Sequence, residues 1–173
     1  MLETAELSKD TVYDLMKDLL YSFNYGWFLL KEEIKKRYPE DYDSEEVGKL
    51  FEDYGSNAAE RLSKVLGITD NGIDALIHLL MHSHWAVFEN MEVEKLTEKS
   101  FRMSILDCTA QSAAKNWGMD YFNCWPSNFF VRKGFFQRIN KNVKVQRIFS
   151  PPQTRSEGIP ENLSCDWLIS IEE

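Results

Sequence analysis

The feature that most restricts this chain is a change of hydrophobic period near residue 90. Before it, apolar residues recur every three or four positions; after it, they alternate. The first period writes helices and the second writes half-buried strands. Val12, Leu15, Met16, Leu19, Leu20, Phe23, Trp27, Leu30 and Ile34 form one stripe, which predicts a helix over 8–37, stopped by Pro39. Asp43, with Glu46 three residues on, reads as a capping box opening a second helix, which runs through Leu50, Tyr54, Ala58, Leu62 and Val65 to Gly67. A third helix is expected over 70–88, apolar on most sides and so central.

In the second half, Phe101, Met103 and Ile105 interleave with Arg102 and Ser104, and Met91 and Val93 mark a partner strand just before. Helices are expected over 109–117, closed by Gly118, and over 127–139, entered at Pro126. Val143, Val145, Arg147 and Phe149 make a third strand, stopped by Pro151-Pro152; Trp167, Ile169 and Ile171 make the last. The order is α-α-α-β-β-α-α-β-β. This predicts an α+β fold with N-terminal helices packed on a four-stranded antiparallel sheet. The 173 residues suit a single domain over 1–173, helical in 1–90 and sheet-bearing in 91–173.

Charge narrows the function classes. The net charge is −8, and residues 1–90 hold 18 acids against 9 bases, whereas residues 91–173 hold 10 against 11. No acid lies between Asp120 and Glu157, while Arg132, Lys133, Arg138, Lys141, Lys144, Arg147 and Arg155 do. That stretch either faces the acidic helices or attracts an anionic ligand. The acidic balance of the whole chain argues against nucleic acid. No apolar run reaches the roughly 18–20 residues that span a bilayer, and the acidic start lacks a signal pattern. A cytoplasmic protein without a membrane partner is expected. There is no GxGxxG, P-loop or Gly-x-Ser-x-Gly elbow, so nucleotide chemistry and a serine-hydrolase elbow are not written here.

Cys108, Cys124 and Cys165 lack close spacing but fall at ends of expected elements. An antiparallel sheet gathers such ends along one edge. Three thiolates and a histidine such as His82 would close a tetrahedral zinc site; otherwise the cysteines are small buried hydrophobes. Cys108 is the candidate catalytic thiol, because a helix N-terminus stabilises thiolates. His78 and His82 stand one helical turn apart, without the glutamate of a metalloprotease helix. His84 falls on the apolar face, where it is either a hydrogen-bonded core residue or the group that orients a polar ligand. Glu32, after Trp27-Phe28, is either an exposed helix-end acid or a base facing a pocket. The 13% aromatic content, including Trp85, fits a core or a ligand-lined hollow.

The second half carries a recurrent pattern. A strand ends in Cys108, a helix carries Gln111 and Gly118, Phe122-Asn123-Cys124 precedes another helix, and Cys165-Asp166-Trp167 opens the last strand. This resembles an uncharacterised bacterial family of domains of unknown function, which the first half also matches through Trp27-Phe28-Leu29-Leu30-Lys31-Glu32. It is similar, more distantly, to the L-2-amino-thiazoline-4-carboxylic acid hydrolase family and to the 4-vinyl-reductase-type small-molecule-binding domain, related in shape to vesicle-tethering subunits. The chain departs from the pattern at Ile148-Phe149-Ser150, where the resemblance implies cysteine, and this weakens any metal site built there.

The resemblance implies a small ligand held between helices and sheet, in some cases beside a zinc held by cysteines. The leading expectation is thus a small-molecule-binding domain lined by His84, Trp85, Trp27 and Cys108, with Arg132 and Arg138 as carboxylate anchors. The alternatives are a hydrolase using Cys108, His84 and Glu32 or a metal-bound water to open a C–N or C–S bond, and a homodimer formed through the first helix.

Overall fold

In a computed structural model the described residues are 7–42 and 44–172. The chain forms two compact units, residues 1–42 and 43–173. The first is built on a 29-residue helix, α1 (Lys9–Arg37). Ser8 caps it: its hydroxyl accepts from the Thr11 amide at 3.1 Å. Lys35, Lys36 and Arg37 occupy its last turn, where the helix dipole favours cations.

The second unit is an α+β fold. Its elements are α2 (Glu45–Leu66), α3 (Ile73–Met81), α4 (His84–Phe88), β1 (Asn90–Thr97), β2 (Ser100–Leu106), α5 (Thr109–Asn116), α6 (Ser127–Gln137), β3 (Val143–Phe149) and β4 (Leu163–Ile171). The four strands form one antiparallel sheet in the order β1-β2-β4-β3. The expected hairpin pairs are present, and β4 inserts beside β2. The two central strands therefore supply the fully buried inner face: Phe101, Met103 and Ile105 from β2, Trp167 and Ile169 from β4. Met103 stands opposite Trp167, and Phe101 opposite Ile169.

Helix α2 lies on α6, and two glycines set how closely. A Cβ at Gly55 would run into the carbonyl of Val131, and one at Gly134 would run into the carbonyl of Glu52. Each helix thus offers a bare backbone to the other. Lys133–Glu52 and Arg138–Glu60 ion pairs, both at 2.8 Å, flank the contact.

Two expectations shift. The second helix is capped by Ser44, which accepts from the Val47 amide at 3.3 Å; Asp43, read as the cap, lies outside the described residues. The helix expected over 70–88 is two helices, broken at His82-Ser83. Ser83 takes an extended backbone, as an N-cap residue does, and restarts the chain as α4. The apolar pattern runs unbroken through this joint, which is why periodicity alone missed it. Among the described residues, no helix is long and apolar enough to cross a membrane.

Candidate functional site

The break before α4 gives His84 and Trp85 a direction of their own. His84 packs on Trp85 with ring centroids 4.5 Å apart, and Trp85 meets Phe135 of α6 edge-on at 5.1 Å. Three residues before Phe135 on the same helix is Arg132, which is 3% exposed. Its guanidinium carbon lies 5.1 Å from the Trp85 ring centroid and 4.6 Å from that of Trp167. A positive charge is thus held between two indoles inside the fold.

The polar partners of this charge are few. One terminal nitrogen donates to the carbonyl of Asn128 at 3.1 Å, whereas Nε has no acceptor. Among the described residues, no carboxylate pairs with Arg132. Two other buried groups also lack a partner, Ser83 Oγ and Ser150 Oγ, and Trp167 Nε1 has the Cys165 thiol near it but no well-formed hydrogen bond. Ser83 is two residues before Trp85, and the Trp167 indole is the one over which Arg132 lies. Unpaired buried polar atoms are rare in folded proteins, because each forfeits its hydration.

Burial keeps the nearby imidazole and two of the thiols neutral. Burial lowers the pKa of His84 from 6.5 to about 4, and the nearby Arg132 charge lowers it further. Burial raises Cys165 to about 11, with Arg132 pulling the other way and the nearby Trp167 indole helping it. Burial and then the Glu89 carboxylate push Cys108 well above the usual thiol range. The helix N-terminus expected to favour a Cys108 thiolate is taken by Glu89 instead. Its carboxylate accepts from the Thr109 amide and the Thr109 hydroxyl, both at 3.1 Å, and so caps α5. Arg132 is therefore a fixed positive charge beside the neutral His84 and Cys165.

The three cysteines are all buried and free. Cys108 is close enough to feel charge on both Cys124 and Cys165. Gln111 locks the chain around Cys124: its amide donates to the Phe122 carbonyl at 2.9 Å and to Cys124 Sγ at 3.2 Å, and accepts from the Phe122 amide at 3.0 Å. Among the described residues, no three of His, Cys, Asp and Glu are arranged to hold a metal ion. His82 is exposed at the end of α3, its ring 4.5 Å from that of His78 and its Nδ1 at 2.8 Å from the His78 carbonyl.

Other expected residues fall elsewhere. Arg138 is exposed and paired with Glu60, so it is not brought to Arg132. Trp27 and Glu32 are partly exposed residues of α1, in the first unit. The outer face of the sheet holds a different feature. Asp166, 1% exposed, accepts from Arg102 Nε at 2.9 Å and from the Ser104 hydroxyl at 3.1 Å, and also pairs with Arg102 Nη2. Beside it is an open cleft of about 600 Å³ lined by Glu92, Glu94, Arg102, Ser104, Pro160 and Leu163. Glu89, Ser83 and Ser150 also belong to this interior and carry no motif in the sequence. Only Glu89, an acid beside the core residue Phe88, offered any signal.

An antiparallel sheet, a Gly-packed helix pair and a cation buried between tryptophans define an α+β domain with a polar interior site. The chain belongs to a family of unknown function, DUF6125, whose pattern matches residues 5–171. No curated protein and no solved structure matches it.

Proposed function

We propose that the second unit is a small-molecule-binding module whose ligand is an organic anion, a carboxylate, seated against Arg132 between Trp85 and Trp167. One observation carries the reading: a guanidinium 3% exposed, with Nε lacking an acceptor and, among the described residues, no carboxylate paired with it. Such a charge costs several kcal/mol to bury unless an anion joins it. Two indole faces return about 1–2 kcal/mol each by cation–π attraction, which leaves most of that cost outstanding. A carboxylate takes two parallel N–H bonds from one guanidinium, and flanking indoles favour a flat or apolar body on the ligand.

The neutral surroundings support the same reading. A His84 of pKa about 4 does not compete as a second cation, and protonated thiols do not repel an anion. Protonated thiols also favour binding over nucleophilic attack, since the thiolate is the reactive form. The likeness of the cysteine pattern to the thiazoline-carboxylate hydrolases and to the vinyl-reductase-type domains is part of this proposal, because both handle small molecules. Three free buried thiols suit a reducing compartment, and we place the protein in the cytoplasm.

The test is melting of the full chain with a panel of aromatic and aliphatic carboxylates beside their amides. A carboxylate that raises the melting temperature where its amide does not, in the native chain but not in Arg132→Met, is the expected result. Equal responses to acid and amide, or an undiminished response in Arg132→Met, would overturn it.

A further inference from the structure

The first unit has a surface that its own fold does not use. Along α1, Val12, Leu15, Met16, Phe23 and Leu30 are 44% to 57% exposed, and Leu19 is 70% exposed. At 100° per residue these six fall on one stripe, which runs roughly 27 Å along the helix. A continuous apolar stripe of this length on the surface marks an interaction site. On the same stripe, between Phe23 and Leu30, is Gly26, and a Cβ built there would meet no described atom within 4 Å. Glycine weakens a helix interior, and among the described residues nothing approaches Gly26 closely enough to require it.

We propose that α1 pairs with α1 of a second copy of this chain, antiparallel, with Leu19 of each copy seated over Gly26 of the other. A two-fold pairing is self-complementary, so fixing one contact fixes the rest. Setting residue 19 against residue 26 sets Leu15 against Leu30, Met16 against Leu29, and Ser22 against Phe23. Leu15, Met16, Leu19, Phe23 and Leu30 then each meet a glycine, a serine or another apolar residue, and Val12, at the end of the stripe, is set against Glu33. The most exposed apolar side chain of the helix and its one missing side chain fill each other.

Charge sets the direction. Residues 9–18 hold two bases and three acids, and residues 31–37 hold four bases and two acids. The antiparallel pair lays the acidic end of each helix beside the basic end of the other and opposes the two helix dipoles. A parallel pair would stack like ends together and leave Leu19 facing Leu19, with Gly26 facing Gly26 across a gap. One helix pair of this length falls at the lower end of stable interfaces, so the dimer should dissociate on dilution in the roughly micromolar range.

The experiment is sedimentation equilibrium of the full chain over a wide concentration range, with Leu19→Asp and Gly26→Leu beside it. A concentration-dependent dimer is expected, weakened at least about tenfold by either substitution, because one buries a charge and the other fills the seat of Leu19. Leu19→Asp changes an exposed residue, and an unchanged melting temperature at monomeric dilution shows that the fold is kept. The register is read by oxidising Leu19→Cys chains mixed with Gly26→Cys chains. A linked pair should form in the mixture and from neither chain alone. A monomer up to millimolar concentration overturns the proposal, as does a monomer that sediments with anionic lipid vesicles. A Leu19→Cys chain that links to itself overturns the antiparallel register.

Discussion

The guanidinium of Arg132 lies over the indole of Trp167, its carbon 4.6 Å from the ring centroid, and both residues are buried. Among the described residues Arg132 has no carboxylate partner, and it is held against the central strand β4. The charge is held there at the expense of folding stability. Replacing it by an apolar side chain of similar length should therefore stabilise the ligand-free protein. We expect Arg132→Met to gain on the order of 1–3 kcal/mol in urea unfolding, although cation–π attraction is lost. An equal loss would mean that the guanidinium is fully compensated in the free protein.

His84 makes stability depend on pH. Its folded pKa is about 4, against 6.5 for an unperturbed imidazole, so between these values the unfolded chain binds the extra proton and the folded chain does not. Stability should be complete above pH 6.5 and fall as pH drops towards 4, by on the order of 3 kcal/mol. His84→Phe should flatten this limb when urea midpoints are compared at pH 7 and pH 4.5. Cys165 acts at the other end. With its folded pKa raised to about 11, stability falls as pH rises above the ordinary thiol value of 9.

The outer face of the sheet rests on Asp166. Its carboxylate is buried, and it takes three hydrogen bonds from Arg102 and one from Ser104. Asp166→Ala leaves the Ser104 hydroxyl without its acceptor and releases a half-exposed arginine. We expect a loss of about 2–3 kcal/mol in unfolding free energy, with Ser104→Ala costing about 1 kcal/mol. If Asp166→Ala unfolds at the native urea midpoint, the pair contributes nothing to holding β2 against β4.

The strands were legible in the sequence because each has a wet face and a dry one. Arg102 and Ser104 between Phe101, Met103 and Ile105 leave no other reading. The joint between α3 and α4 is hidden because the apolar spacing of Leu76, Leu79 and Leu80 carries on into Trp85 and Phe88, so no change of pattern marks Ser83. The site was half legible. Arg132, Trp85 and His84 could be named from residue type and helical face, but the pairing of Arg132 with Trp167 depends on β4 inserting beside β2, which no local pattern dictates. Cys108 was misjudged as to its ionisation. The helix N-terminus beside it is real, but Glu89, 19 positions earlier, reaches it first.

The α2–α6 contact also depends on what the residues lack. Gly55 and Gly134 sit where each backbone meets a carbonyl of the other helix, Val131 on one side and Glu52 on the other. Neither obstacle is a flexible side chain, so one added methyl must push the helices apart. That shift would move α6, and with it Arg132 and Phe135, away from Trp85. Gly134→Ala should improve the intrinsic helix propensity of α6 and still destabilise the protein by about 1–3 kcal/mol, since overpacking outweighs the gain of about 1 kcal/mol from propensity. Gly26→Ala in α1, where no described residue obstructs the methyl, should do the opposite at monomeric dilution and stabilise its helix by up to about 1 kcal/mol. Chemical denaturation of the two variants side by side separates propensity from packing. A Gly134→Ala protein as stable as the native one would show that α2 and α6 are not held at the separation described.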